Sequence, residues 1–263
     1  MKIKKALAYF YILIFFLTGI FSLLLLKISI DQNNILTVFF PILFLLLGFF
    51  VLYFLNADFY QFFFFLFFYF LYNSLAIFIS VYGFDESIGE FFIFPDEKKF
   101  FEYSFDLKGF SYYTVFSDAI LFAFFNKIIA YISSFLEIKS VFAFKFQSVF
   151  FGALSVPVFY KLNLLYDRSV VSFRNSILFG VFSFTVFYST VILRDVHVSL
   201  IFLIYFFFYL KDNDSFFKLV LISFICFLLR PENGIVLLSF TFFVKLFELF
   251  KRNKFKNVIF KRL

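Results

Sequence analysis

The chain has 263 residues, 63% of them hydrophobic and 28% aromatic, and carries a formal net charge of +7. A mean hydropathy of +0.98 with long uninterrupted apolar runs excludes an ordinary soluble domain, where about half the residues are apolar, and points to membrane spans. A single cysteine, Cys226, excludes an internal disulfide and a cysteine-based metal cluster.

Taken in chain order, the apolar runs lie at about 6–26, 35–55, 59–82, 141–162, 173–193, 196–210, 216–230 and 234–250. A hydrocarbon core about 30 Å thick needs roughly 20 helical residues. The first five runs reach that length; the sixth and seventh are shorter and would be tilted, thinned around or partly buried in protein. MKIKK before the first run, with no small-residue cleavage site after it, predicts an uncleaved first span. Phe is extreme at 58 residues and Trp is absent. Since Phe and Leu are nearly interchangeable against lipid, this bias says little about function.

The basic residues orient the chain. Lys2, Lys4 and Lys5 place the N-terminus in the cytoplasm, and Lys161, Arg168 and Arg174 place 161–174 there too. The tail from Lys251 to Leu263 is basic without an acid and belongs on the same side. The loop after 83, with Asp85, Glu86, Glu90, Asp96, Glu97, Glu102 and Asp106, then lies outside. Residues 111–136 must not cross if these basic regions are to stay inside, and Ser117, Asp118, Asn126, Lys127, Ser133 and Ser134 interrupt their apolar pattern. A helix lying in the membrane surface is the reading there. The expected fold is therefore an all-α polytopic membrane protein of about eight transmembrane helices. An extracytoplasmic loop and an interfacial helix separate the third from the fourth. The regions are 1–82 (three spans), 83–140 (acidic loop and interfacial helix), 141–250 (five spans) and 251–263 (basic tail). Both termini are cytoplasmic, in an integral protein of a bacterial inner or plasma membrane. The +7 charge is a topology signal and an anchor on anionic lipid, not a nucleic-acid surface.

This topology sends three polar motifs to one outer boundary: Asp96-Glu97 in FIFPDEKKFFEY, Arg194-Asp195 with His197 after YSTVIL, and Arg230-Pro231-Glu232. Charged groups at a membrane boundary mark a candidate site. Asp96 and Glu97 suit a general base or a hard-cation ligand; a solvated acidic loop is the plainer alternative. Arg194 can pair with a phosphate, with Asp195 orienting it or holding a metal; the alternative is a local ion pair at a helix end. His197 is structural or a ligand. Arg230 is a second phosphate-binding candidate or part of a tight turn with interface charges, and Pro231 stops the preceding helix. No phosphate-cradling Gly-rich loop, zinc signature or nucleic-acid module is present.

The order of the acidic pair, then KFQSVFFGALSVPVFYKL (Lys145 to Leu162), FSFTVFYSTVILRD (Phe182 to Asp195) and LLRPENGIVLL (Leu228 to Leu238), resembles the GT-C superfamily of integral-membrane glycosyltransferases. Within it the family 39 branch is closest, with the protein mannosyltransferases and the aminoarabinose transferase of lipid A; the likeness covers about 90–240. It implies inverting transfer of a sugar from a polyprenyl-phosphate donor to a glycan, lipid or protein acceptor at the outer face. It gives Asp96 the role of catalytic base, with Glu97 beside it, and gives Arg194 and Arg230 the donor phosphate. Asp195, with Glu232, takes the second acidic position, orienting or metal-holding. Tyr188 and His197 are further candidates, and a divalent cation at Asp96 and Asp195 is the one cofactor considered. The alternative is a non-catalytic or truncated membrane subunit of a polysaccharide assembly or export system, completed by a partner subunit.

Overall fold

The structure, a computed structural model, describes residues 2–31, 35–83, 91–105, 119–211 and 216–260. Among these residues the chain is all-α, with eleven α-helices, a 3-10 turn at Ile35–Val38 and no strand. The helices are α1 (Lys2–Asp31), α2 (Phe39–Phe54), α3 (Phe59–Tyr82), α4 (Pro95–Phe105), α5 (Ile120–Phe135), α6 (Val141–Asn163), α7 (Ser169–Phe182), α8 (Phe184–Ser189), α9 (Asp195–Lys211), α10 (Phe216–Leu229) and α11 (Pro231–Phe260). Asp85, Glu86, Glu90, Asp106 and the 111–118 part of the expected interfacial stretch lie outside the described residues.

Among the described residues three helices are long and apolar enough to cross a membrane: Tyr11–Ser29 within α1, then α3 and α6. Other expected spans are realised differently. α2 and α5 have 16 residues each and α7 and α10 have 14. Sixteen residues rise only about 24 Å, short of a core about 30 Å thick. The run expected at 173–193 is not one helix. α7 ends at Phe182, and Ser183 is extended, with φ −80° and ψ 159°. The Ser183 hydroxyl accepts from the Thr185 N–H at 3.2 Å and starts α8. Such local side-chain bonding competes with the helical ladder, so a continuously apolar run is split by its serine.

α6 is the central helix. It packs against α2, α3, α7, α8 and α9, and Phe142, Ala143, Phe144, Lys145, Phe146 and Gln147 are consecutively buried. A helix apolar all round is one buried all round. α3 is its main neighbour. Its Tyr69 hydroxyl donates to the Pro41 carbonyl of α2 at 2.6 Å, and its Tyr72 hydroxyl to the Gly180 carbonyl of α7 at 2.7 Å. Tyrosine in apolar surroundings needs such a partner for its hydroxyl.

Long-range contacts sort the helix ends. Lys27 of α1 donates to the Tyr82 hydroxyl at the end of α3 (2.9 Å), and Lys145 near the start of α6 donates to Ser80 of α3 (2.7 Å). At the opposite end the Asp58 carboxylate caps α3 in a capping box with Gln61, whose amide meets the Pro157 carbonyl of α6. Lys161 and Lys211 there approach the same Phe207 ring. α3 and α6 are therefore antiparallel.

α5 has its polarity reversed relative to a helix on a protein in water. Asn126 and Ser133 are buried, whereas Ile120, Phe124, Ile128, Tyr131 and Phe135 form an exposed stripe. Of the polar residues that interrupt this run, Asn126 and Ser133 point inward, while Ser134 is exposed. The same inversion continues elsewhere, with Phe15, Leu23, Phe217, Phe243 and Phe247 each more than two-thirds exposed. Apolar surface on this scale is foreign to a soluble monomer and fits membrane association.

Candidate functional site

Three helix starts meet at one place. α4 opens at Pro95 with Asp96 and Glu97 in its first turn, α9 opens at Asp195, and α11 opens at Pro231 with Glu232 in its first turn. Acids in a first turn complement the positive end of the helix dipole. Pro231 does not merely stop α10. It occupies the first position of α11, where a missing N–H costs nothing and φ is already helical. The Arg230 N–H still closes α10 on the Cys226 carbonyl at 2.8 Å, and the Arg230 carbonyl accepts from Gly234 at 3.1 Å. Arg230 is thus the single hinge residue between two antiparallel helices.

Between these helix starts lies a cleft of about 610 Å³, lined by Asp96, Tyr188, Arg194, Asp195 and Arg230, with Phe94, Pro95, Phe100, Phe187 and Leu193. Arg230 forms an ion pair with Asp195 through Nη1 and Oδ1, both side chains about one-third exposed. Arg230 Nε lies 3.8 Å from the Glu232 carboxylate, which is mostly exposed. Asp96 is exposed and Tyr188 half-buried. A second, more apolar cleft of about 450 Å³ shares Tyr188 and Asp195. It continues along α9 past Val198, Ser199, Phe202, Leu203 and Phe206, with Asn233 opposite. The two clefts form a charged head and an apolar extension on either side of Tyr188 and Asp195.

Glu97 and His197 sit elsewhere. Glu97 does not share the cleft with Asp96; it is fully buried and faces inward. Its carboxylate is 3.2 Å from Lys145 Nζ and accepts the N–H groups of Ile93 (2.6 Å), Phe94 (3.2 Å) and Ile192 (2.8 Å). A carboxylate so occupied has no place for a substrate proton, which corrects the expectation that it stands beside Asp96 as a second base. The turn that carries Asp96 exposed turns the next side chain inward. His197 is buried below the cleft, with Nε2 3.1 Å from the Gln147 amide nitrogen and rings of Phe122, Phe125 and Phe151 around it. It lines neither cleft.

The residue missed in the sequence is Lys145. Read there only as the first letter of a motif, it is a fully buried cation in the central helix. A lone lysine in an otherwise apolar run was the available signal.

For a divalent cation the donor set is thin. Among the described residues no group of three or more His, Cys, Asp or Glu comes together. Of the two carboxylates lining the cleft, Asp195 is already engaged by a guanidinium. These residues do not fit a resident cation, for which several oxygen ligands are needed.

Compared with family models, with curated proteins and with solved structures, the chain has no match.

Proposed function

We propose that this chain is a membrane glycosyltransferase that moves a sugar from a polyprenyl-phosphate donor to an envelope glycan, lipid or protein acceptor on the extracytoplasmic face. The observation that carries the reading is the paired cleft. Asp96, Arg194, Asp195 and Arg230, from three separate stretches of chain, line a polar chamber that opens past Tyr188 into an apolar groove along α9. A ligand with a phosphate at one end and a hydrocarbon chain at the other has the same division. The resemblance of the motif order to the GT-C family supports the same assignment.

In this reading Asp96 takes the proton of the acceptor hydroxyl as its oxygen attacks the anomeric carbon. The bond from that carbon to the phosphate oxygen breaks on the opposite side, the configuration inverts, and the lipid phosphate leaves with the electron pair. Arg194 and Arg230 meet the charge that develops on the phosphate, where positioned donors contribute most. Asp195 holds the Arg230 guanidinium in place. No step is routed through a metal. The chain crosses the membrane about eight times with both termini in the cytoplasm, short helices such as α7 and α10 being accommodated by thinning of the bilayer and by partial burial in protein.

The test uses the full chain in lipid nanodiscs with polyprenyl phosphate and a polyprenyl-phosphate-linked sugar. The wild type binds the phosphate, and Asp96→Asn retains that binding while losing about 10²–10⁴-fold in transfer rate. A wild-type chain that binds no polyprenyl phosphate, or an Asp96→Asn variant with unchanged turnover, overturns the assignment.

A further inference from the structure

We propose that Glu97 is a positioning residue that latches the two walls of the cleft to each other, one carboxylate oxygen per wall. Oε2 accepts the N–H groups of Ile93 and Phe94, the residues that lead directly into Asp96. This is the backward half of a capping box, with the acid at the third position of α4 reaching the residues before its start. Oε1 accepts the N–H of Ile192, 95 positions away, in the turn that leads directly into Arg194 and Asp195. Lys145 Nζ meets the same Oε1 at 3.2 Å and ties it to Ser80 of α3 at 2.7 Å. Asp96 and Arg194 are thus each within a few residues of an N–H group held by one buried carboxylate. Beside the ring contact of Phe94 with Phe187 at 5.8 Å, Glu97 supplies the polar restraint between the two walls.

The chemistry requires this residue type. A carboxylate has two acceptor oxygens and can serve two walls at once. A glutamine has one acceptor and one donor group, so it releases one wall whichever way its amide is turned. An aspartate keeps the charge but is one methylene too short to reach both. Full burial makes each bond count, because an N–H left unpaired here has no water to replace the lost oxygen. Lys145 offsets the charge, since a buried carboxylate without a partner is costly.

The latch holds for whatever ligand the cleft takes, so its test is separate from the glycosyl-transfer reading. Spin labels at Lys99→Cys on α4 and Phe184→Cys on α8, both exposed positions, report the wall-to-wall distance in a Cys226→Ala background. Lys145→Met lowers the thermal midpoint by stripping the buried carboxylate of its counter-charge but retains both carboxylate oxygens, and at a temperature where it is folded its distance distribution stays as narrow as that of the otherwise unmodified protein. Glu97→Asp broadens it, and so does the charge-neutral double variant Glu97→Gln with Lys145→Met, each with a cooperative thermal transition retained. Distributions unchanged in both Glu97 variants overturn the latch. So does broadening already complete in Lys145→Met alone, which puts the restraint on the lysine. Where transfer is measured, Glu97→Asp lowers kcat on the order of 10²-fold through misplacement of Asp96, with donor KM little changed. Polyprenyl-phosphate binding by the wild type, measured alongside, reports on the functional reading independently of the distances.

Discussion

Adjacent residues in this chain do opposite things. Asp96 and Glu97 are two acids in one helical turn, yet the first is exposed at the cleft and the second is fully buried against Lys145. Successive side chains on a helix point about 100° apart, so a pair of neighbouring acids is seldom a pair in function. Asp195, next to Arg194 in the chain, reaches across the cleft to Arg230. That geometry separates two kinds of substitution. Arg194→Lys keeps the positive charge and loses the planar fork of donors that suits phosphate. It is expected to weaken polyprenyl-phosphate binding about tenfold, with a cooperative thermal transition retained. Arg230→Met strips Asp195 of its partner and is expected to lower the melting temperature as well. Binding titrations paired with thermal unfolding in detergent check both, and a stability loss in Arg194→Lys with intact binding counts against a phosphate role for it.

At the scale of elements, close backbone approach decides where the cleft residues stand. Gly234 in α11 faces the backbone of Phe227 in α10, and a Cβ there would overlap it. This contact lets α10 and α11 turn back on each other with only Arg230 between them. Gly234→Ala is expected to cost about 1–3 kcal/mol by overpacking and to move Arg230 away from Asp195. The measurement is a lower thermal midpoint together with weaker ligand binding; an unchanged midpoint means the hairpin opens without strain. A similar approach occurs where Gly152 of α6 meets Ser189 at the end of α8, which seats the turn carrying Ile192, Arg194 and Asp195 against the central helix.

Across the whole molecule charge and surface are divided. Lys161, Arg168 and Lys211 lie at or near one end of the helices, while Asp96, Asp195, Arg194, Arg230 and Glu232 gather at the other. Exposed phenylalanines lie between them on the outer faces of α1, α10 and α11. Under the positive-inside rule the first end is expected to be cytoplasmic and the second outside. Single cysteines at Tyr166, near the basic end, and at Glu232, at the cleft end, test this in a Cys226→Ala background. Both positions are exposed. In intact cells an impermeant maleimide is expected to label the Glu232 position and to reach the Tyr166 position only after lysis. The reverse pattern inverts the topology and removes the cleft from the outer face.

The amino-acid sequence by itself determined the class of molecule, because burying or solvating so much Phe and Leu has few solutions: helices, apolar outer faces, and charge confined to their ends. It also marked the stretches that meet at the cleft, since charged residues next to long apolar runs are too costly to be incidental. It left undecided which of two neighbouring acids faces the cleft, that Asp195 pairs with Arg230, and that Lys145 is buried in the central helix. It also hid the break at Ser183 inside a continuous apolar run. Those outcomes depend on contacts between residues far apart in the chain, such as Glu97 with Ile192 and Lys145 with Ser80. Periodicity and composition report on a helix and its solvent one segment at a time; only the packed tertiary structure decides which polar atoms find each other once water is gone.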